Sequence, residues 1–474
     1  MLGFKPRWLW AGIAVRLAVA PFLLQWFHPD ERQTLAFAHF QAHGRMHDFM
    51  ESLLHMRNQT APLVLSWMIR AIDAVGLDFP WAYMTMFHAV LGLWSWWGLC
   101  TLVAHARERG CRYSDALGWF FALFWLFPFI YSRQLLETMS LTPVLMAFVG
   151  ISRAQPLRAG LWTGLAVILR YPGISWIPGL LMLCWYLQRK NSDRLRSAAV
   201  AVSGIAIAIA LGGIADWHVF GKFLESAPAY FKFNFPGGPV SRMFGNDSLV
   251  VYYKMFEFAF SPWLAPLLFA AGALAIALQP HIALFILPYV AAHIITPHRE
   301  PRFMLPLLPL MALAVALSAD RHLQKIVIKS AFVRKTILAA AIFHVVLNFG
   351  LYPLNIWAQL ESAQALLVRN YNYFERINRD VMITIYEPVD ALLPANLRWA
   401  GPYCVWRGTS NTTSANHRIL VISENEPAGC DKIPRTRVLP ALKSNPLKRL
   451  LRTRTGTMYD CPQKTAKALC LQSE

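Results

Sequence analysis

Long apolar runs alternate with short basic segments along most of the chain. A bilayer core about 30 Å thick requires about 20 apolar residues per helix, so each run of this kind predicts a membrane span. About 11 such runs occur, some of them short or broken, and they predict an all-α polytopic membrane bundle. The spans are expected near residues 8–27, 81–105, 115–131, 138–152, 197–217, 259–278, 281–296, 303–319 and 336–357, with two half-length runs between Arg158 and Arg189.

The basic residues beside the runs predict the orientation of the bundle, because Lys and Arg collect in cytoplasmic loops. Lys5 and Arg7 precede the first run, which places the N-terminus in the cytoplasm. Residues 28–80 and 216–258 are then long outer loops. The first contains an amphipathic stretch, 61–75, that is expected to lie along the membrane interface. We therefore expect a multi-pass integral membrane protein with both long loops outside.

The two half-length runs meet at Arg170-Tyr171-Pro172-Gly173. Proline and glycine end one helix here and begin the next. An arginine at the bilayer centre costs about 2.5–3.5 kcal/mol on insertion scales, so this break is expected at the outer surface. The two runs predict a helical hairpin with Arg170 at its tip.

The C-terminal part of the chain differs from the rest. The membrane domain is predicted to cover residues 1–357, and the number of spans then places 358–474 outside, in the periplasm or a lumen. Short alternating runs, such as the one over 418–422, predict a small α+β domain. Four cysteines of this domain could form two disulfides in an oxidising compartment: Cys404, Cys430, Cys461 and Cys470.

The composition agrees with a membrane protein. The chain has 474 residues, of which 56% are hydrophobic and 15% charged, whereas a soluble chain is about 25% charged. The net charge of +19 raises the question of nucleic-acid binding. The basic residues are spread over the loops rather than gathered on one face, so we expect contact with membrane lipid and no nucleic-acid partner.

Three polar clusters share the predicted outer face. They are His28-Pro29-Asp30-Glu31, the tip at Arg170, and His298-Arg299-Glu300-Pro301-Arg302. Inverting sugar transfer from a lipid phosphate needs a carboxylate to take the acceptor proton and fixed cations to stabilise the departing phosphate. Arginine suits the second task because it is permanently charged and fork-shaped. The clusters therefore supply both kinds of group that sugar transfer from a lipid-phosphate donor requires.

Each cluster also has a purely structural interpretation. Asp30 is placed as a helix N-cap would be, residues 298–302 could form an interfacial girdle with an internal Arg/Glu pair, and Arg170 could solvate carbonyls at a helix end. A cap alone needs no further polar residues. The first loop also holds His28, Glu31, Gln33 and His39, and a helix cap does not explain why these polar residues are there.

Two motifs occur in order on this face. The first is His28-Pro29-Asp30-Glu31, followed by Gln33 and Ala38-His39, and the second is His298-Arg299-Glu300-Pro301-Arg302-Phe303, followed by Pro306 and Pro309. They resemble the HPDE and H-[KR]-E-x-R-F motifs of the GT-C membrane mannosyltransferases, which use dolichyl-phosphate mannose in GPI-anchor and N-glycan precursor assembly. The likeness is greatest to the third mannosyltransferase of GPI-anchor assembly. Weaker likenesses, in the same order, include Arg57, Arg133 with Glu137, Arg170, and Asp216 with Phe220-Gly221.

The resemblance implies a GT-C fold and an inverting mannosyltransferase that uses Asp30 as its base, with Glu31 as the second candidate. It implies a donor-phosphate site formed by His298, Arg299, Arg302 and Arg170. It implies supporting roles for His28, Gln33, His39, Arg57 and Glu300. The implied partners are a polyprenyl- or dolichyl-phosphate sugar donor and a lipid-linked glycan acceptor.

Some features depart from the family or are missing. Ala36-Phe37 stand where relatives carry a glutamate before Ala-His, so acceptor recognition is expected to differ. The first loop holds no D-x-D pair, and we expect neither a cofactor nor a required metal.

Two other functions stay open from the sequence alone. A transporter or flippase for a lipid-linked sugar would explain the spans, although transporters usually show inverted repeats and polar groups at mid-membrane. A membrane scaffold that binds a partner through residues 358–474 has little support in the sequence.

Overall fold

A computed structural model of the chain describes its helical part and the strands of its C-terminal part. The described residues are 6–23, 29–43, 55–77, 80–188, 190–234, 238–245, 247–260, 262–322, 331–360, 382–385, 403–405, 418–423, 429, 431–432 and 457–462. The chain divides into two compact units. The first comprises Met1–Ala20, Phe27–Gly76 and Met86–Val345, and the second comprises Pro21–Trp26, Leu77–Thr85 and Val346–Glu474.

Helices form the described structure as far as residue 360. They are α1 (Arg7–Val19), α2 (Pro29–His43), α3 (Thr60–Ala74), α4 (Pro80–Glu108), α5 (Ser114–Leu123), α6 (Leu126–Ile130), α7 (Leu136–Ser152), α8 (Pro156–Leu169), α9 (Trp176–Leu187), α10 (Asn191–Phe220), α11 (Ser226–Asn234), α12 (Pro239–Phe244), α13 (Val250–Ala259), α14 (Ala265–Ala277), α15 (Pro280–Ile295), α16 (Leu307–His322) and α17 (Ala331–Leu360). Short 3-10 turns cover Ala20–Phe22, Tyr171–Ser175 and Pro301–Met304.

Several predicted spans are shorter or more broken than a single bilayer crossing. Within the described residues, two helices are long and apolar enough to cross alone, Trp81–Glu108 and Asn191–Phe220. The pair α14 and α15 meets at a bend of 116°. The span predicted over 115–131 is divided into α5 and α6, because Pro128 has no N–H to bond the carbonyl of Phe124.

The break predicted at Arg170 is confirmed. Helix α8 ends at Leu169, the 3-10 turn begins at Tyr171, and α9 begins at Trp176. Pro172 lies in the first positions of the turn, where its missing N–H costs little.

Small residues bring α8 and α10 into close contact. A Cβ atom added to Gly160 would lie 2.0 Å from the carbonyl oxygen of Ala201, and one added to Gly204 would lie 2.5 Å from that of Leu157. Only glycine permits this approach, which is a common way for helices to pack in membranes. The close packing fixes the end of α10 beside the hairpin tip.

The two predicted outer loops contain helices. Residues 28–80 hold α2 and α3, and α3 matches the amphipathic stretch predicted over 61–75. Residues 216–258 are mostly helical rather than open loop. Helix α10 runs on to Phe220 and ends at Gly221, whose φ of +72° suits a helix end, and α11, α12 and α13 follow.

Five strands form one sheet in the C-terminal unit. They are β1 (Met382–Ile385), β2 (Tyr403–Val405), β3 (Arg418–Ser423), β4 (Asp431–Lys432) and β5 (Thr457–Pro462), in the order β2-β1-β3-β5-β4. Strands β1 and β3 are parallel, and the other pairs are antiparallel.

The strand order limits the predicted disulfides. Cys404 pairs with Thr384 across β2 and β1, and Cys461 pairs with Ile419 across β5 and β3. Their backbones are three strand spacings apart, or about 14 Å, which exceeds the reach of a disulfide. Cys430 and Cys470 lie outside the described residues.

Candidate active site

Asp30 lies in the first turn of α2, which Pro29 begins. Its carboxylate is buried, and one of its oxygens accepts hydrogen bonds from two arginines. Oδ2 accepts hydrogen bonds from Arg57 Nη2 at 2.9 Å and from Arg302 Nη1 at 2.7 Å. Asp30 is thus inside the helix rather than at its N-cap, and it joins two segments that are 272 residues apart in the chain.

Arg302 lies in the 3-10 turn Pro301–Met304, between α15 and α16. Its Nε and Nη2 atoms donate to the two oxygens of Glu300 at 2.5 and 3.1 Å. Burial alone would lower the pKa of Arg302, but the carboxylates of Asp30, Glu137 and Glu300 outweigh burial and raise that pKa well above its usual value. The guanidinium is a fixed cation held by three acids.

Glu137 connects Arg302 to Arg170. It lies fully buried in the first turn of α7, where the helix N-terminus favours a negative charge. Its Oε1 is 3.0 Å from Arg170 Nη1 and 3.2 Å from Arg302 Nη1. These contacts are ion pairs by distance but lack hydrogen-bond alignment within the described structure. The Phe303 ring lies 4.6 Å from the guanidinium carbon of Arg170 and 5.5 Å from that of Arg302.

Glu31 points into a different environment from that of Asp30. It is fully buried and pairs with the buried Arg133 at 3.2 Å. Removing one partner of such a pair leaves an uncompensated charge in the interior. The geometry therefore gives Glu31 a structural contact.

His298 and Arg299 share an acid that the sequence did not single out, Asp247. His298 Nδ1 lies 3.3 Å from Asp247 Oδ2, and His298 Nε2 lies 2.9 Å from Glu300 Oε1. The backbone N–H of Arg299 donates to Asp247 Oδ2, and its guanidinium donates to the carbonyls of Asp247 and Ile294. These bonds hold the segment 298–302 in place. They direct the Arg299 guanidinium to backbone oxygens rather than to Asp30.

The remaining predicted residues are less well defined. His28 lies outside the described residues, and of His39 the structure describes only the helical backbone. Gln33 is half-buried in α2, and its Oε1 has no hydrogen-bond partner within the described structure. Of the predicted residues, the structure brings together Asp30, Glu300, Arg302, His298, Arg57 and Arg170.

Sequence reasoning left three contributors out of the site: Arg133, Glu137 and Asp247. The first two appeared only as weak family likenesses, and an acid near the end of an apolar run was the available signal for Glu137. Within the described residues, no group of three or more His, Cys, Asp or Glu side chains could hold a metal ion.

The described part of the site holds acids and arginines in equal number. The acids are Asp30, Glu31, Glu137, Asp247 and Glu300, and the arginines are Arg57, Arg133, Arg170, Arg299 and Arg302. The arginines of this cluster are fixed donors of the kind that stabilise charge developing on an anionic leaving group.

The helical bundle with its buried acid–arginine pairs fits the GT-C class of membrane glycosyltransferases. The fold resembles the crystal structure of ArnT from Cupriavidus metallidurans bound to undecaprenyl phosphate, with a TM-score of 0.52 and 14% sequence identity, over 78% of this chain and 68% of that one. The chain belongs to the Alg9-like mannosyltransferase family, whose profile matches residues 7–390. A comparison with curated protein sequences finds no match. The protein is therefore an integral membrane enzyme of a glycosyltransferase family, which decides against the transporter and scaffold interpretations.

Proposed function

We propose that this protein transfers a mannosyl group, with inversion, from a polyprenyl- or dolichyl-phosphate donor to a hydroxyl of a lipid-linked glycan. The observation that carries the proposal is the contact between Asp30 and Arg302, because it sets a candidate base beside a candidate phosphate-binding cation. In one displacement reaction, Asp30 would act on the acceptor hydroxyl and Arg302 on the departing phosphate.

In the proposed step, Asp30 accepts the proton of the acceptor hydroxyl as its oxygen forms a bond to C1 of the sugar. The bond between C1 and the phosphate oxygen breaks on the opposite side, and its electron pair leaves with the polyprenyl phosphate. Arg302 and Arg170 stabilise the negative charge that collects on that phosphate. Since guanidinium contacts favour a charged carboxylate, Arg57 and Arg302 keep Asp30 able to accept the proton.

The donor class has two supports. The family consists of mannosyltransferases, and ArnT, which shares the fold, was crystallised with undecaprenyl phosphate. One Glu137 oxygen lies within 3.2 Å of both Arg302 and Arg170, so Glu137 holds the two guanidiniums close enough together to contact one phosphate. Both ring nitrogens of His298 face acids, Asp247 and Glu300, so His298 supports the phosphate site by holding the segment 298–302 rather than by a hydrogen bond of its own to the phosphate.

We further propose that the reaction takes place on the periplasmic or lumenal side and that the N-terminus is cytoplasmic. Helix α7 begins next to Glu137 and ends at Ser152, a rise of about 25 Å. Beyond that end, Arg153 pairs with Glu108. Arginines collect there, as expected of cytoplasmic ends.

The donor assay uses purified protein in liposomes with undecaprenyl-phosphate β-mannose carrying a radiolabel, and an extract of membrane glycolipids as acceptor. We expect a labelled glycolipid from which α-mannosidase, but not β-mannosidase, releases the labelled mannose, since inversion changes the anomeric configuration. GDP-mannose, which lacks the lipid, should give no product. Transfer from GDP-mannose alone, or a β-linked product, would contradict the proposal.

A further inference from the structure

A second buried polar network lies beside the candidate active site and is centred on Asp216. This residue is fully buried in the last turns of α10. Its Oδ1 accepts hydrogen bonds from Asn58 Nδ2 and from the backbone N–H of Gln59, both at 3.0 Å. Its Oδ2 accepts from the backbone N–H of Ser226 at 3.1 Å and from the Ser226 hydroxyl.

The network accommodates a carboxylate without a cation. Within the described residues no arginine, lysine or histidine pairs with Asp216. A buried charge of this kind is costly unless several donors are fixed around it. Here four donors come from two separate parts of the chain, residues 58–59 and Ser226, so the carboxylate ties both to the end of α10.

The first part that Asp216 holds carries Arg57. Residues 55–59 are not helical, and Asn58 Nδ2 also donates to the Gly212 carbonyl at 3.0 Å. Directly before Asn58, Arg57 extends its guanidinium to Asp30 at 2.9 Å. Because hydrogen bonds at positions 58 and 59 anchor this irregular segment, the position of the Arg57 side chain depends on Asp216.

The second part leads to the hairpin tip. The Ser226 hydroxyl lies 2.5 Å from the Tyr171 hydroxyl. Ser226 has one hydroxyl hydrogen and donates it to Asp216, so the Tyr171 hydroxyl must donate to Ser226. Tyr171 directly follows Arg170, which approaches Glu137 at 3.0 Å. The same carboxylate therefore fixes the turn that presents Arg170.

We infer that Asp216 is a positioning residue for the proposed sugar transfer. It holds Arg57 against the base on one side and the Arg170-Tyr171 turn near the donor phosphate on the other, without touching either substrate. The inference rests on the proposed function, because it assigns Arg57 to the base and Arg170 to the phosphate.

Asp216→Asn tests the inference. The amide can accept on one oxygen only, so one pair of donors loses its acceptor. We expect kcat/KM for undecaprenyl-phosphate mannose to fall about 10- to 100-fold, as for a catalytic group displaced by about 1 Å. In an Arg57→Ala background, the same change should lower kcat/KM by several-fold less than in wild type, because the contact of Arg57 with the base is already gone and only the turn that presents Arg170 is left to be disturbed. An equal fold loss in both backgrounds would overturn the inference.

A second, smaller substitution separates an effect on catalysis from a general loss of the fold. Tyr171→Phe removes one hydroxyl and leaves Asp216 with all four donors. We expect the donor KM to rise about 5-fold, in line with one lost hydrogen bond. An unchanged donor KM would refute the link to Arg170. If Asp30→Asn is inactive while Asp216→Asn and Tyr171→Phe behave as wild type, this inference fails and the proposed function stands. If wild type transfers no sugar, the proposed function itself fails.

Discussion

Arg302→Lys separates the shape of the guanidinium from its charge. Arginine makes three hydrogen bonds here, two to Glu300 at 2.5 and 3.1 Å and one to Asp30 at 2.7 Å, and it lies 3.2 Å from Glu137. A lysine has one nitrogen and retains about one of these contacts. Each lost charge-assisted bond is worth about 1.5–3 kcal/mol. Two lost bonds thus predict a loss of stability of about 3 kcal/mol or more. The cation that they hold in place is then displaced, and a displacement of about 1 Å predicts a fall in kcat/KM of about 100-fold.

The assay measures kcat/KM with undecaprenyl-phosphate mannose and, in parallel, the melting temperature of the purified protein. Arg153→Lys is the matched control, because Arg153 also bonds a glutamate twice, Glu108, at 2.9 and 2.5 Å, but at an exposed position. Exposed ion pairs are worth about 0–1 kcal/mol, so the control should keep its activity. Arg302→Lys with wild-type kcat/KM, or an equal loss in Arg153→Lys, would refute the reasoning.

Further predictions concern residues around the site. Glu31→Gln should lower the melting temperature strongly, because it removes the buried carboxylate that pairs with Arg133, and breaking a buried ion pair costs about 3–5 kcal/mol; an unchanged melting curve would contradict this. Glu137→Gln should raise the donor KM more than it lowers kcat, because it loosens the spacing of the two arginines that we propose bind the phosphate; steady-state kinetics with varied donor concentration separate the effect on KM from that on kcat. Gly160→Ala should destabilise the bundle by about 1–3 kcal/mol, since its Cβ would lie 2.0 Å from the Ala201 carbonyl oxygen; equal thermal stability would argue against that helix contact.

The sequence allowed prediction of the membrane bundle because apolar runs and basic flanks are local signals. It also allowed prediction of the helix break at Arg170, since Pro172 and Gly173 stand directly beside it. The span predicted over 115–131 is divided in the structure because of Pro128. A pattern of apolar runs alone does not take account of a proline within a run. The helices of residues 216–258 were missed because aromatic, glycine and proline residues there show no helical period.

The site was less accessible to sequence reasoning than the fold. The motifs around Asp30 and Arg302 were visible as polar clusters at the ends of apolar runs. The ion pairs of Glu137 and Arg133 could not be predicted, because the two partners of each pair lie on different elements and no local sequence pattern indicates such a pairing. Asp247 lies in a segment predicted as open loop, and its contact with His298 depends on how that segment folds.

The central claim is that Asp30 is the base of a sugar transfer from a polyprenyl phosphate. The most direct test compares wild type, Asp30→Asn and Asp320→Asn for transfer of labelled mannose from undecaprenyl-phosphate mannose. Asp320 is a matched control, since it also bonds an arginine, Arg112, at 2.9 Å, at an exposed pair. Loss of the base predicts a fall in kcat of about 10²- to 10⁴-fold for Asp30→Asn and wild-type activity for Asp320→Asn. A fully active, correctly folded Asp30→Asn enzyme would contradict the account.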